Sequence, residues 1–254
     1  HDTIAIIDYG SQYTQLIARR IRELNVYSII LPYDFQESYI DLNSIKGIVL
    51  SGGPSSVYDK ESPKFNKKIL SYNIPILGIC YGLQLLVEEF GGSVNNSSIG
   101  EYGPSKININ NNDSLFQNIS SSINVWMSHA DRINTMPNDW KVTSQSENGI
   151  ISSVQNINNN IFGVQFHPEV IHTEQGNNII KNFVLNICKT AQNWSSENFI
   201  NETIKNIRNT VGNGKVLCAL SGGVDSTVVS TIMKKAIGNN AICVFIDHGL
   251  LRKN

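Results

Sequence analysis

The sequence predicts an α/β protein with an open, mixed but mostly parallel sheet flanked by helices, followed by the beginning of a second, parallel α/β domain. In the first half of the chain, short apolar runs of strand length alternate with amphipathic stretches of helix length, which is typical of parallel βαβ units. The same alternation starts again near residue 215, after a polar segment. In addition, two glycine-rich turns, at 78–82 and 221–223, each join an apolar run to a helical one, and α/β proteins bind ligands at such turns.

The elements of the first domain follow from the spacing of its apolar residues. Leu16, Ile17, Ile21 and Leu24 share one face of a helix over 13–24. Buried strands are predicted at 4–7, 27–31, 47–50, 74–79 and 161–166, and further helices at 63–71, 81–90 and 174–188. Between 91 and 154 the apolar runs are short and separated by Asn- and Ser-rich turns, so that only short strand-like pieces are expected there.

Domain boundaries are predicted from the polar segment between the two alternating patterns. Residues 1–189 form the first domain, 190–212 a linker and connecting helix that Ser196 caps, and 213–254 the start of the second domain. In this second domain a helix over 226–236 separates strands at 215–220 and 241–246. Because the chain begins with His1 and stops shortly after the last of these strands, we expect a truncated chain whose second site is incomplete.

Composition limits the compartment and the partners. The 254 residues are 41% hydrophobic and 16% charged, with a net charge of -1, which is ordinary for a globular protein and provides no basic surface for nucleic acid or anionic membranes. No apolar run is long enough to cross a membrane and no secretion signal is present, so a cytoplasmic location is expected. The cysteines lack the spacing of zinc or disulfide frameworks, and Cys188, Cys218 and Cys243 are expected to be small buried residues.

The fourth cysteine, Cys80, lies between Gly78 and Gly82 at a strand-to-helix turn. This is the pattern of a nucleophile elbow, in which small residues let strand and helix approach closely and the helix N-terminus favours the thiolate. A base and its orienting group are available in His167 and Glu169, because side chains two residues apart in an extended chain point the same way. Taken alone, Cys80 could be a buried thiol and His167 a structural histidine.

A nucleophilic site also requires N–H donors for the oxyanion that forms during attack on a carbonyl. The amide of Tyr81, next to the nucleophile, is one candidate, and that of Gly53, in the turn after a neighbouring strand, is the other. The elbow, the His-Pro-Glu pair and the paired glycines at 52–53 occur together, which favours a catalytic cysteine over the two structural alternatives.

Three motifs resemble those of the class I glutamine amidotransferases: S-G-G-P at 51–54, G-I-C-Y-G-L-Q at 78–84 and G-V-Q-F-H-P-E at 163–169. The resemblance implies that Cys80 attacks the side-chain carbonyl of glutamine and releases ammonia, leaving a thioester that water hydrolyses. It also implies that His167 acts as general base and acid, held by Glu169. The same resemblance places Gln84, Ser128, His129 and Asp131 in the glutamine pocket, although Gln84 could instead be an exposed helix residue.

The second glycine-rich loop, S-G-G-V-D-S-T at 221–227, follows an apolar run and opens a helix. Its glycines permit close approach of the backbone to a ligand, and amides at a helix N-terminus favour an anion. It is not a Walker A loop, because no G-K-[ST] follows at the required spacing. The carboxylate of Asp225 would repel a bare phosphate, which predicts a bridging Mg²⁺ as its metal partner.

This loop resembles the pyrophosphate loop of the ATP pyrophosphatases, which split ATP into AMP and pyrophosphate. The resemblance implies Mg²⁺ with ATP as a substrate, and it makes Ile246, on the following strand, a candidate contact to adenine. The ATP contacts that it implies within the loop are Ser221, Gly222, Gly223, Val224, Asp225, Ser226 and Thr227.

Several families carry such a loop, among them NAD, asparagine and argininosuccinate synthetases and tRNA-thiolating enzymes. In this chain a domain resembling a glutaminase precedes the loop, and two further motifs are present, D-Y-G-S-Q-Y at 8–13 and D-H-G-L-L-R at 247–252. With these features together, the chain resembles the family of glutamine-hydrolysing GMP synthetases. The resemblance implies that ATP adenylates XMP, that ammonia from glutamine displaces AMP, and that the full-length protein is a homodimer through a C-terminal region absent here. Two alternatives stay open: a glutaminase serving another acceptor through the same loop, and a non-catalytic binding or regulatory fragment.

Overall fold

The computed structural model describes residues 1–110, 114–156, 158 and 160–245, without the side chains of residues 39 and 97–99. The chain divides into two compact units, His1–Asn193 and Trp194–Asn254. No described helix is long and apolar enough to cross a membrane.

Within its described residues, the first unit contains one nine-stranded sheet. Its strands are β1 Thr3–Asp8, β2 Tyr27–Pro32, β3 Ile45–Leu50, β4 Ile76–Ile79, β5 Ser93–Ile109, β6 Ser122–Thr135, β7 Lys141–Ser146, β8 Ile151–Asn156 and β9 Ile161–Val164. Its helices are α1 Thr14–Arg22, α2 Tyr81–Glu89 and α3 Gly176–Lys181, the last continued by a π-helical segment over Asn182–Ile187. Short 3-10 segments lie at Glu37–Tyr39 and Lys67–Tyr72.

The strand order is β2-β1-β3-β4-β9-β8-β7-β5-β6. The first five strands in this order are parallel to one another. The remaining four continue the sheet in antiparallel pairs. The predicted α/β class with a mixed sheet is therefore confirmed, and the parallel part places the turns after β1, β3, β4 and β9 along one edge.

Strand β1 shows why the parallel part is easy to recognise from its sequence. Ile4 and Ile6 pack in the apolar cluster that contains α1 and α3. Ala5 and Ile7 point to the other face and join the cluster that contains α2. Because helices cover both faces of the sheet, every position of the strand is apolar and the run is continuous.

Two predictions for the first unit are wrong in detail. The helix expected over 63–71 is only the 3-10 segment Lys67–Tyr72, which begins after Asn66 because the Asn66 side chain accepts from the Lys68 N–H and caps the segment there. The short pieces expected over 91–154 include two long strands, β5 and β6, paired over most of their length. Alternate residues of β6 are buried, but polar His129 and Asp131 occupy inward positions and interrupt the apolar pattern.

The second unit contains α4 Ser196–Val211, β10 Val216–Leu220, α5 Val224–Ile237 and β11 Ala241–Phe245, with a 3-10 turn at Gly238–Asn240. Strands β10 and β11 are parallel, as predicted for a βαβ unit. Ser195, rather than Ser196, caps α4: its Oγ accepts from the Asn198 N–H at 3.1 Å. Cys188 of the first unit and Cys218 are buried as expected, but Cys243 is exposed, because residues 242–245 of β11 are not covered in the described part of the chain.

Candidate active site

Cys80 occupies the turn between β4 and α2. Its backbone has φ 52° and ψ -106°, a left-handed conformation that is unfavourable for any residue with a Cβ. The turn is fixed from both sides, because the Cys80 N–H donates to the Val164 carbonyl at 2.8 Å and the Gly82 N–H donates to the Ser51 carbonyl at 3.1 Å. A strained turn of this kind presents its central side chain at the edge of the sheet, as expected for a nucleophile elbow.

The two glycines that flank Cys80 are required by close packing. A Cβ on Gly78 would lie 2.6 Å from the Leu83 nitrogen, and one on Gly82 would lie 2.4 Å from the Leu50 carbonyl oxygen. Larger residues would therefore force α2 away from the sheet. The expectation that small residues bring strand and helix together at this turn is confirmed.

His167 and Glu169 follow β9 and meet Cys80 at the same edge of the sheet. His167 Nδ1 lies 2.8 Å from Glu169 Oε1, and both side chains are buried. Cys80 lies near enough to raise the pKa of His167, and its sulfur donates to the Ser128 carbonyl at 3.7 Å. A Cβ on Gly52 would lie 3.1 Å from His167 Cε1 and 3.6 Å from Cys80 Cβ, so the imidazole and the cysteine meet over a residue that leaves room for them. The structure thus brings together the three predicted catalytic residues.

The main chain and the ring of His167 are both held in place. Its N–H donates to the Trp126 carbonyl at 3.0 Å, and its carbonyl accepts from the Thr173 hydroxyl at 2.6 Å. The Tyr13 ring packs edge-on against the imidazole, with 5.1 Å between the ring centroids. Gln165 adds a contact to the nucleophile, since its Nε2 lies 3.5 Å from Cys80 Sγ. Gln165 was missed in the sequence, although it stands two residues before His167 within the same motif.

The pKa of His167 is strongly raised. Burial lowers the pKa of this imidazole, but the charge of Glu169, the neighbouring Cys80 and the hydrogen bond to Glu169 outweigh burial and raise it to about 10. The ring therefore carries its proton at neutral pH, between a carboxylate on one side and the sulfur on the other. A protonated imidazole beside the nucleophile can give its proton to a leaving group.

Two backbone amides are available to stabilise an oxyanion. Gly53 and Tyr81, the predicted donors, line the same cavity as Cys80, and neither of their amide nitrogens has a hydrogen-bond partner in the described part of the chain. At Gly53 a Cβ would lie 2.7 Å from the Tyr9 carbonyl oxygen, so this turn accommodates only glycine without a shift. Unpaired N–H groups beside a nucleophile are what an oxyanion hole requires.

A cavity of about 480 Å³ lies beside Cys80, a size suited to a small ligand. All four residues predicted for the glutamine pocket line it: Gln84, Ser128, His129 and Asp131. Gln84 is buried, and its Nε2 lies 3.3 Å from both the Asp131 carbonyl and Gln165 Oε1, so the alternative of an exposed helix residue is wrong. Further lining residues are Gly10, Ser11, Gln12, Tyr13, Pro54, Ser55, Ser56, Tyr102 and Ala130.

The wall of this cavity that β6 forms is polar and buried. His129 Nδ1 lies 2.8 Å from the Asp131 carbonyl, and His129 Nε2 lies 3.5 Å from Glu101 Oε2. Burial lowers the pKa of His129 and outweighs the opposing effects of the Asp131 carbonyl and of Glu101. The Tyr58 hydroxyl donates to Asp131 Oδ1 at 2.7 Å. Glu101 and Tyr58 were not predicted, because neither lies in a motif and each meets its partner only through the tertiary fold.

In the second unit, the predicted phosphate loop joins β10 to α5. Gly222 has φ +76°, and the Ser226 hydroxyl accepts from the Ser221 N–H at 3.2 Å and donates to the Gly223 carbonyl at 3.0 Å. The Thr227 hydroxyl donates to the same carbonyl at 2.9 Å. These bonds fold the loop against the start of α5. The residues predicted to contact ATP are exposed there, except Ser226, which is half-buried.

Asp225 is the residue predicted to bind Mg²⁺, and its exposed side chain lies in the first turn of α5. Among the described residues, no three His, Cys, Asp or Glu side chains lie close enough to form a metal site by themselves. A single carboxylate still suits Mg²⁺, which commonly takes one or two carboxylates and completes its shell with phosphate oxygens and water. Ile246, the candidate adenine contact, and the motif at 247–252 lie outside the described residues.

Comparison with known proteins agrees with this geometry. A family profile described as glutamine amidotransferase class-I matches residues 5–187. The chain belongs to the class-I glutamine amidotransferases. A profile described as NAD synthase matches residues 195–250, the part of the chain that contains the glycine-rich loop at 221–223.

Several relatives of this amidotransferase carry a more specific name. GMP synthase (glutamine-hydrolyzing) of Petrotoga mobilis is 49% identical over 253 residues, which are 100% of this chain and 49% of the relative. The protein of the same name from Bacillus mycoides is 48% identical over 254 residues, 100% of this chain and 50% of the relative. The chain thus spans about half the length of the curated relatives it matches.

Solved structures support the fold. A Thermoplasma acidophilum protein, provisionally described as one component of a GMP synthase, superposes with a TM-score of 0.64 at 32% identity, covering 79% of this chain and 97% of that protein. A glutamine amidotransferase of Thermotoga maritima superposes with a TM-score of 0.56 at 20% identity, covering 93% of this chain and 98% of that one. The second likeness concerns the fold alone.

Proposed function

We propose that the first unit hydrolyses glutamine to glutamate and ammonia, and that the chain is the amino-terminal half of a GMP synthase that uses this ammonia to aminate XMP. The observation that carries the proposal is the Cys80–His167–Glu169 constellation beside a cavity that also presents two unpaired backbone amides. The names of the full-length relatives support the choice of XMP as the acceptor.

The geometry supports acyl transfer in two steps. The Cys80 sulfur attacks the side-chain carbonyl carbon of glutamine, and the amides of Gly53 and Tyr81 stabilise the oxyanion. His167 then gives its proton to the departing nitrogen, so that ammonia leaves and a thioester remains. In the second step His167 takes a proton from water, the resulting hydroxide attacks the thioester, and glutamate leaves as the sulfur is restored.

The second unit would bind ATP through its glycine-rich loop. The exposed loop amides and the start of α5 can hold phosphate oxygens, and Asp225 would share a Mg²⁺ ion with them. In the complete protein, ATP would adenylate XMP, and ammonia would displace AMP to give GMP. Pyrophosphate would be the other product of ATP.

Glutamate release from glutamine by the 254-residue chain tests the first part of the proposal. Cys80 should also be labelled by a glutamine-shaped electrophile such as 6-diazo-5-oxo-norleucine, and glutamine should protect it. Cys188→Ala is a suitable control, because this thiol is buried in the core and should not contribute to labelling. Failure of Cys80 to react would favour the alternative of a non-catalytic binding module.

The second part is tested in the full-length protein with XMP and Mg²⁺-ATP. Glutamine or ammonium should each support formation of GMP, AMP and pyrophosphate. The Cys80→Ala variant should lose the reaction with glutamine and keep the reaction with ammonium, because only the ammonia supply is removed. Formation of ADP, or an equal loss with both nitrogen sources, would contradict the proposal.

A second acceptor is worth testing because the loop region matches the NAD synthase profile. Pyrophosphate release can be screened with XMP and with the adenylylated nicotinic acid nucleotide that an NAD synthase aminates. We expect release with XMP. Release with the other acceptor alone would place the chain with a different glutamine-dependent synthetase and leave the glutaminase assignment intact.

A further inference from the structure

Tyr58 makes a contact that the proposed chemistry does not by itself require. It lies in the loop that follows β3, shortly after Gly53, and 49% of its surface is exposed. Its hydroxyl nevertheless donates to Oδ1 of buried Asp131 at 2.7 Å, although the two residues are 73 positions apart. A half-exposed tyrosine can satisfy its hydroxyl with water, whereas here the hydroxyl binds one oxygen of a carboxylate that lines the cavity.

Asp131 is an unusual residue for this cavity. It is 5% exposed, and among the described residues that line the cavity it is the only carboxylate, with no lysine or arginine. Its Oδ2 has no hydrogen-bond partner within the described part of the chain. This oxygen is not among the fully buried atoms that lack a partner, so it is accessible from the cavity and can pair with a cationic group bound there. Glutamine carries one cationic group, its α-ammonium.

The main chain of Asp131 is already fixed by two neighbours. Its carbonyl lies 3.3 Å from Gln84 Nε2 and 2.8 Å from His129 Nδ1. Neither of these contacts orients the carboxylate, which can still rotate about its own side-chain bonds. The bond from Tyr58 is the contact that holds one carboxylate oxygen and leaves the other for a ligand.

We propose that Tyr58 is a positioning residue for substrate recognition: by binding Oδ1 of Asp131, it holds Oδ2 towards the α-ammonium group of glutamine. The inference rests on the proposed glutaminase function and names the group of the substrate that this part of the cavity recognises. Tyr58 does not touch the reacting atoms in this scheme, so its effect should appear in binding and leave the chemistry of Cys80 unchanged.

The test is Tyr58→Phe in the 254-residue chain. We expect KM for glutamine to rise about tenfold, the size of effect produced by losing one hydrogen bond to a charged group, with little change in kcat. Labelling by 6-diazo-5-oxo-norleucine, which carries the α-ammonium group, should slow by a similar factor. Labelling of Cys80 by iodoacetamide, which lacks that group, should keep its wild-type rate and so show that the elbow is intact.

Tyr72→Phe is the matched control. The Tyr72 hydroxyl also donates to a carboxylate, Glu37 Oε1, at 2.8 Å, but neither residue lines the cavity. This variant should retain the KM, kcat and labelling rates of the wild type. An increase in KM equal to that of Tyr58→Phe would mean that loss of any such surface bond has the effect, which would overturn the inference.

A double-mutant cycle with Asp131→Asn decides whether Tyr58 acts through Asp131. If it does, adding Tyr58→Phe to Asp131→Asn should change KM by less than about twofold, because residues that share one interaction are not additive. Multiplicative effects would overturn the inference, as would a wild-type KM in Tyr58→Phe. Thermal melting of each variant shows that the fold is retained. If the wild type itself neither hydrolyses glutamine nor reacts with the analogue, the proposed function fails, and this outcome is distinguishable from the others.

Discussion

Replacing Glu169 by glutamine tests the electrostatic basis of the candidate triad. The carboxylate is 0% exposed, and its Oε1 lies 2.8 Å from His167 Nδ1. Glutamine has nearly the same shape and keeps an oxygen that can accept from the Nδ1 hydrogen, while the negative charge is removed. The substitution therefore separates the charge of Glu169 from its role in orienting the ring.

The size of the expected effect follows from the geometry and from the pKa of His167. Two unit charges 2.8 Å apart attract by about 6 kcal/mol at an effective dielectric constant of ~20. A histidine pKa of about 10, against an ordinary value of ~6.5, corresponds to roughly 5 kcal/mol in favour of the protonated ring. Because Cys80 supplies part of this stabilisation, we expect Glu169→Gln to lower the pKa of His167 by at least about two units.

Weaker stabilisation of the imidazolium should reduce catalysis, because this ring carries out the proton transfers. We expect kcat/KM for glutamine hydrolysis to fall about 100-fold, within the range typical of general acid–base catalysis. The assay is glutamate release between pH 6 and pH 10, combined with NMR titration of the His167 ring. Glu174→Gln is the control, since this exposed carboxylate accepts hydrogen bonds from Asn124 at 2.8 and 3.1 Å and should not influence the rate. A variant whose His167 still titrates near pH 10 and whose kcat/KM is unchanged would refute the reasoning.

Two further predictions concern titration and packing. The pKa of His129 should lie below that of an ordinary histidine because of burial, whereas Glu169 and Cys80 raise the pKa of His167 to about 10. NMR titration of both rings measures the two values. A His129 that keeps its proton to higher pH than His167 would contradict this prediction. Gly82→Ala should lower the free energy of unfolding by about 3 kcal/mol or more, since its Cβ would lie 2.4 Å from a backbone oxygen. Urea denaturation measures this loss of stability. Gly103→Ala is the control: its Cβ would meet no neighbour, so only the strain of its positive φ, about 1 kcal/mol, should be lost. Equal losses of unfolding free energy in the two variants would contradict the packing argument.

The parallel half of the sheet could be predicted from the sequence because its strands are buried on both faces. Residues 4–7 and 47–50 are continuous apolar runs, and they lie in β1 and β3. The antiparallel half could not be predicted in the same way. In β6 the inward positions include His129 and Asp131, so the alternation of apolar and polar residues is interrupted where the strand lines the cavity.

The residues of the candidate site likewise differ in whether the sequence predicts them. Cys80, His167 and Glu169 lie in short motifs next to strands, and the last two are only two positions apart in the chain. Tyr58 has no such signal, because its partner Asp131 is 73 positions away in the chain and the two meet only in the folded protein. Motifs therefore locate the triad, including Glu169, which orients His167, whereas Tyr58, which meets Asp131 only through the tertiary fold, emerges from the three-dimensional structure.

The strained backbone at Cys80 shows how the fold accommodates a conformation that local preference opposes. A non-glycine residue with φ 52° is less stable than a relaxed one by about 1–3 kcal/mol, and the turn persists because its surroundings leave no alternative. The Cys80 N–H donates to the Val164 carbonyl at the end of β9, and the Gly82 N–H donates to the Ser51 carbonyl in the turn after β3. The glycines at 78 and 82 also let α2 pack so closely that the turn has no room to relax. The same close packing sets the sulfur beside His167, so the position of the nucleophile is determined by the core of the sheet rather than by the loops around the cavity.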